Sequence, residues 1–177
     1  PRIVPFSLDV DRALRALRRA DPLFVFNLVE SVAGDVRLVH LAPALLDHLR
    51  LRYTGSGQEA VFVTSNKILS KRLFQQAGIP TPPWMPPGAA ASAVGTEAGT
   101  YLLKSDWEHA SNWFDDGSVL EAGSAGELRA ALEKRNRAGK GCFFAERYIA
   151  GREFNQALLL AEPLPTAEMR FVDFPAG

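Results

Sequence analysis

A chain of 177 residues with 47% hydrophobic and 23% charged residues reads as a soluble globular protein, long enough to bury about 70% of the surface its unfolded chain would expose. Twenty Lys and Arg against twenty Asp and Glu give zero formal charge, which argues against nonspecific binding to nucleic acid or to an anionic membrane. The single cysteine, Cys142, excludes an internal disulfide and fits a reducing, cytoplasmic setting; no apolar run reaches the roughly 20 residues of a membrane span, and no secretory signal opens the chain.

Ser7 or Asp9 is placed to cap a helix through about Ala20, with Leu14 and Leu17 inward and Arg12, Arg15, Arg18 and Arg19 on a solvated face. Leu23 to Leu28 reads as a short apolar strand. Asn27 and Glu30 then fall at its carboxyl edge, where open α/β sheets place their ligands. Asp35 caps a second predicted helix to about Arg50, with Leu38, Leu41, Leu45 and Leu49 on one stripe. Strand followed by helix suggests a βα unit of a parallel sheet.

Tyr53 to Gly57 reads as a turn, and Ser65 as the cap of a helix ending at Ala77, with Gly78 and Pro80 as its stop signals. Residues 81 to 99, rich in Pro, Ala and Gly, read as a connection. Beyond it the pattern changes. Tyr101 to Ser105, Val119 to Glu121, Cys142 to Arg147, Glu153 to Leu160 and residues 168 to 172 read as strands. Ser124 and Glu127 form a capping box that opens a helix to about Gly139, with Leu128, Ala131 and Leu132 inward. These pieces make an α+β unit distinct from the first 60 residues. The ends, Pro1 without an initiating Met and Phe174 to Gly177 just after a strand-like run, read as those of a fragment or of the ordered part of something longer.

Four places could carry chemistry. Lys104 shares a strand face with Leu102 and must find a counter-charge or reach solvent: either a snorkelling edge lysine or a point-charge ligand for phosphate. Glu146 and Glu153 flank a turn permitted by Gly151, which reads either as a hairpin with charged ends or as two carboxylates accepting from hydroxyls or an amine. The polar loop from Asp106 to Gly117, with Glu108, His109 and two tryptophans, matches no metal template and suits a flap over a ligand. Cys142 reads as a buried structural thiol. Two lysines, Lys67 and Lys71, lie one turn apart, with Lys71 on the solvated side. Neither a P-loop nor a nucleophile elbow is present.

Taken in order, these pieces resemble the ATP-grasp superfamily, and within it the D-alanine–D-alanine ligase group. The resemblance is carried by Val-Phe-Asn-Leu-Val-Glu at 25–30, Tyr-Thr-Gly-Ser-Gly at 53–57, Asn-Lys-Ile-Leu-Ser-Lys at 66–71 and Ala-Gly-Ile-Pro-Thr-Pro-Pro-Trp at 77–84. Leu-Leu-Lys at 102–104, Glu-Arg-Tyr-Ile-Ala-Gly-Arg-Glu-Phe at 146–154 and Glu-Met-Arg-Phe at 168–171 continue it. Each motif is weak alone; their joint order is specific.

The resemblance implies an α/β plus α+β fold. Residues 1–63 would end a Rossmann-like pre-ATP-grasp domain, 64–147 form the central ATP-grasp subdomain, and 148–177 begin a C-terminal subdomain that stays incomplete. It implies ATP and Mg2+ as cofactors, small-molecule carboxylate and amine substrates, and phosphoryl transfer to the carboxylate before the amine attacks; it allows a homodimer. By position, Lys67 and Lys104 match phosphate lysines, Lys104 being the catalytic one, and Ser111 lies in the loop over the phosphates. Glu146 matches the carboxylate beside the adenine amine, Arg147, Tyr148 and Ile149 the linker that reads the adenine edge, and Glu153 the ribose acceptor. The family's metal carboxylates and oxyanion arginine are expected beyond residue 177, and its glycine loop and substrate glutamate before residue 1, so residues 1–177 alone are expected to lack ligase activity. Three departures stand out: Asn66 replaces an aspartate, the flap reads Glu-His-Ala-Ser-Asn-Trp-Phe, and Glu30-Ser31 replaces His-Gly near the substrate, which detaches the reading from D-alanine. A non-catalytic nucleotide-binding relative is the alternative that the altered flap suggests.

Overall fold

The computed structural model describes residues 1–89, 97–107, 115–138 and 141–170, in two compact units, Pro1–Arg147 and Tyr148–Gly177. In the first unit, α1 (Val10–Ala20) begins at Asp9, whose carboxylate accepts from the Arg12 amide at 3.0 Å, and ends at Asp21 in a left-handed conformation. Ala13 and Leu17 of α1 bury against Leu45 and Leu46 of α2 (Leu41–His48), with Val25, Leu51 and Tyr53 at the margin.

Two expectations for this region need correction. The helix from Asp35 is not continuous: Asp35 caps a short 3-10 turn, Val36–Leu38, and α2 starts separately at Leu41. Pro43 explains the break, because proline has no N–H for Val39 and its ring crowds that carbonyl, so it is tolerated only in a first turn. Nor does Leu23–Leu28 form a strand. Only Val25 pairs, in a parallel bridge with Tyr53, its amide donating to Arg52 O at 2.7 Å and its carbonyl accepting from Thr54 at 3.0 Å. A strand exists through its neighbours, and this segment has one neighbour for one residue. Leu23, Phe24, Phe26 and Leu28 are left exposed.

Residues 58–76 form two helices. Helix α3 (Gln58–Ser65), unforeseen in the sequence, stops where Asn66 turns extended, and α4 (Lys67–Gln76) starts from the same residue. Asn66 rather than Ser65 is therefore the cap: its Oδ1 accepts from the Leu69 amide at 2.7 Å, whereas Ser65 donates back to Val61 O within α3. At the other end Ile79 N donates to Phe74 O and Gly78 N to Gln75 O, with Gly78 at φ +70°, the pairing that lets glycine close a helix.

The second half of the unit is a four-stranded antiparallel sheet in the order β1-β4-β2-β3, formed by β1 (Trp84–Met85), β2 (Gly99–Ser105), β3 (Val119–Ala122) and β4 (Phe143–Arg147). Strand β1 lies inside the stretch read as a connection. Helix α5 (Ala125–Arg137) opens at Ser124, which accepts from the Glu127 amide at 3.3 Å. Its Leu128 and Leu132 bury against Met85, Tyr101, Leu103, Phe143 and Ala145. Alternation then turns Leu102, Lys104, Phe144 and Glu146 to the opposite face.

In the second unit β5 (Glu153–Asn155) pairs antiparallel with β8 (Ala167–Met169), and β6 (Leu158–Leu159) with β7 (Glu162–Pro163). The single strand expected over Glu153–Leu160 is thus two, and Leu160, at φ +58°, turns the second hairpin. The hairpin reading around Gly151 is not what forms among the described residues: β4 pairs with β1 and β2, and β5 pairs with β8.

Candidate functional site

Pairing across the sheet puts Trp84, Glu146 and Leu102 in one row on the face away from α5, with Phe144 beside Lys104 in the next. Glu146 is the centre of that face. Its Oε1 accepts from Lys104 Nζ at 2.8 Å and its Oε2 from Lys71 Nζ, also at 2.8 Å. The two cations differ in access: the Lys104 side chain is 33% exposed and that of Lys71 is 7%. Burial pushes the Glu146 carboxyl up, but the hydrogen bonds and charges of Lys104 and Lys71 together outweigh it and hold it below the usual carboxylate range.

The solvated position expected for Lys71 is therefore wrong. Beyond Glu146, its ammonium donates to Thr81 Oγ1 at 2.6 Å and to Pro82 O at 3.1 Å. No local signal gave this away: Leu73 and Phe74 of the same helix are exposed, so apolar residues do not mark its inward side.

Lys67, the first residue of α4, is tied to the end of β2, where its amide donates to Asp106 O at 2.8 Å and Asn66 bridges Trp107. The Asp106 carboxyl is pushed up by burial, against the pull of the Cys142 thiol, backbone amides and the Lys67 charge. Cys142 is exposed, not buried, because it precedes β4 instead of lying in it. Partial desolvation, then the adjacent Asp106 charge and hydrogen bond, raise its thiol, the opposite of an activated nucleophile. Sequence reasoning gave Asp106 no role.

Arg147 ends β4 over the Tyr101 ring, 5.4 Å from its centre, and donates to Tyr101 Oη at 3.3 Å. Gly99 makes room: a Cβ there would stand 2.6 Å from Arg147 Nη2. In the second unit Tyr148 and Ile149 are exposed, and Glu153, also exposed, opposes Met169. Ser111, Glu108 and His109 lie outside the described residues. The Tyr53–Gly57 turn is fixed by Tyr53 donating to Asp47 at 2.7 Å and by Thr54 Oγ1 accepting from the Asn27 amide at 3.0 Å. Burial, then the Asp47 partner and its charge, push the Tyr53 phenol up to about 12.

Among the described residues no group of three or more His, Cys, Asp or Glu could hold a metal, and no helix is long and apolar enough to cross a membrane.

No family model matches the chain. It is 32% identical over 181 residues to the D-alanine–D-alanine ligase of Methylococcus capsulatus, covering 96% of this chain and 55% of that protein. It is 29% identical over 178 residues to the D-alanine–D-alanine ligase of Moorella thermoacetica, covering 86% and 50%. The fold is similar to the crystal structure of the D-alanine–D-alanine ligase from Bacillus anthracis complexed with ATP, at a TM-score of 0.67 and 19% identity over 98% of this chain and 56% of that one. The chain spans about half the length of the curated relatives it matches. In sequence over most of its length, and in its mixed α/β fold, the chain is a divergent relative of the D-alanine–D-alanine ligases of the ATP-grasp superfamily.

Proposed function

We propose that this chain carries the nucleotide-binding part of an ATP-dependent carboxylate–amine ligase. The observation that supports it most is the Lys104–Glu146 pair on one sheet face, a partly open cation on a half-buried carboxylate, at the two positions the resemblance assigns to phosphate and to the adenine amine. Leu102 beside them, half-buried, supplies apolar surface of the kind a planar base packs against, while Trp84 and Phe144 on the same face are buried. In this reading residues 1–63 end a pre-ATP-grasp domain, 64–147 form the central subdomain and 148–177 begin the C-terminal one. Lys67 and Lys104 neutralise phosphate charge, Ser111 belongs to the covering loop, Arg147 to Ile149 read the base edge, and Glu153 takes the ribose.

The chemistry is transfer of a phosphoryl group to a substrate carboxylate, giving an acyl phosphate, then attack by an amine to form an amide with loss of phosphate. Positioning and charge neutralisation supply most of the rate in such transfers, and lysines provide both. Magnesium is assigned to no described residue, because none of them assembles a ligand set. The two curated relatives named above are D-alanine–D-alanine ligases, which supports catalysis over a non-catalytic binding role. The substrates are a small carboxylate and a small amine, with D-alanine one candidate among several.

ADP release by the intact protein, measured with MgATP across a panel of amino-acid pairs, tests this. Release that depends on a particular pair, and falls at least about a hundredfold in Lys104→Ala, is expected. Release equal with and without any amino acid would contradict it.

A further inference from the structure

Lys71 has no part in the ligase reading above, yet it is the most enclosed cation of the cluster. An ammonium carries three hydrogens, and Lys71 directs them to three acceptors: Glu146 Oε2 at 2.8 Å, Thr81 Oγ1 at 2.6 Å and Pro82 O at 3.1 Å. Nothing is left for a ligand. The acceptor segment is itself fixed, because prolines 82 and 83 lock their own φ angles and Pro83 O accepts from the Arg147 amide at 2.8 Å, next to Glu146. Lys104 is the reverse case, one-third exposed with Glu146 as its partner among the described residues. The other residues opposite Glu146 in the sheet, Trp84 and Leu102, bear no charge.

We propose that Lys71 is a positioning residue for the nucleotide site, the permanent counter-ion that fixes Glu146 and thereby leaves Lys104 able to turn to an incoming phosphate. Two lysines on one carboxylate leave a net positive charge to offer an anion. When Lys104 moves to the anion, Glu146 would be left half-buried and unpaired, a costly state, unless a second cation stays behind. Lys71 is held so that it stays. Without it, Glu146 and the phosphate compete for Lys104, and Glu146 takes up a proton more readily. The proposal rests on the nucleotide reading only for the identity of the anion.

Two measurements on the intact protein separate the two ideas. The first is MgATP affinity as a function of pH for wild type, Lys71→Met and Lys71→Arg. Lys71→Met is expected to bind about tenfold more weakly near pH 8, with the deficit narrowing in acid as Glu146 protonates and releases Lys104, and with Lys71→Arg restoring a constant ratio to wild type. A purely structural loss would give one ratio at every pH, and that result, or Lys71→Arg tracking Lys71→Met, overturns the proposal. The second is a nucleotide-free carboxyl NMR titration of Glu146. Its midpoint is expected to rise by about one pH unit or more in Lys71→Met, and an unmoved midpoint overturns the role of Lys71 whatever the wild type binds. Failure of the wild type to bind MgATP would instead sink the nucleotide reading. Should Lys71→Met fail to fold, Thr81→Val, which loosens Lys71 without removing it, is expected to move the midpoint the same way by less; no movement there also overturns the proposal.

Discussion

Glu146 is held by two cations from two elements, and that fixes both its charge and its cost of removal. Glu146→Gln keeps the shape but leaves Lys71 buried without a counter-charge, and is expected to lower stability by about 3 kcal/mol in urea denaturation near pH 7. The pH sign follows from the depressed folded-state value. The stabilisation is fully present above the ordinary value of 4.5 and fades as pH falls through the lower folded-state midpoint, so wild type and Glu146→Gln should converge in acid. Curves that stay parallel from neutral pH down to pH 3 would show that the charge contributes nothing. Lys104 was legible in the sequence, because strand alternation put a lysine among apolar neighbours and demanded a partner. Lys71 was not. Its acceptors are ten and eleven residues away in a proline-rich segment, and Glu146 is on a strand far along the chain, so nothing local marks it as buried.

Single residues at element ends decide how Lys67 is presented. Asn66 ends α3 and caps α4, while Asp106 O takes the Lys67 amide and Trp107 bridges Asn66. Asn66→Ala should cost about 1 kcal/mol by denaturant midpoint, the usual loss of a cap, whereas Ser65→Ala, which removes no cap, should cost less. Equal losses would return the cap to Ser65. Leu128→Ala should cost about 2–5 kcal/mol, since Leu128 of α5 is fully buried against the sheet. Helix caps and turn glycines were readable because their chemistry is local: Asp9, Ser124 and Gly78 act within a few residues. The failures were those of pairing. Leu23–Leu28 has strand composition but one bridging neighbour, and β1 has two residues that become a strand only because β4 lies beside them.

At the scale of the molecule, the first unit has two separate cores, one between α1 and α2 and one between α5 and the sheet. The charged cluster lies on the sheet face opposite α5, where Lys71 of α4 reaches it. Order and spacing of short motifs pointed to the family, and the mixed α/β fold agrees with its solved members. The substrate stayed out of reach because Glu30-Ser31, the departure that bears on it, detaches the reading from D-alanine without pointing to another substrate. The central claim is that this sheet face binds ATP, and the direct measurement is the thermal midpoint of the intact protein with and without MgATP. At about a hundred times the dissociation constant the ligand should add about 2.7 kcal/mol, raising the midpoint by roughly 5–10 °C, and Lys104→Ala should lose most of that rise. No rise in the wild type, or the same rise in Lys104→Ala, would contradict it.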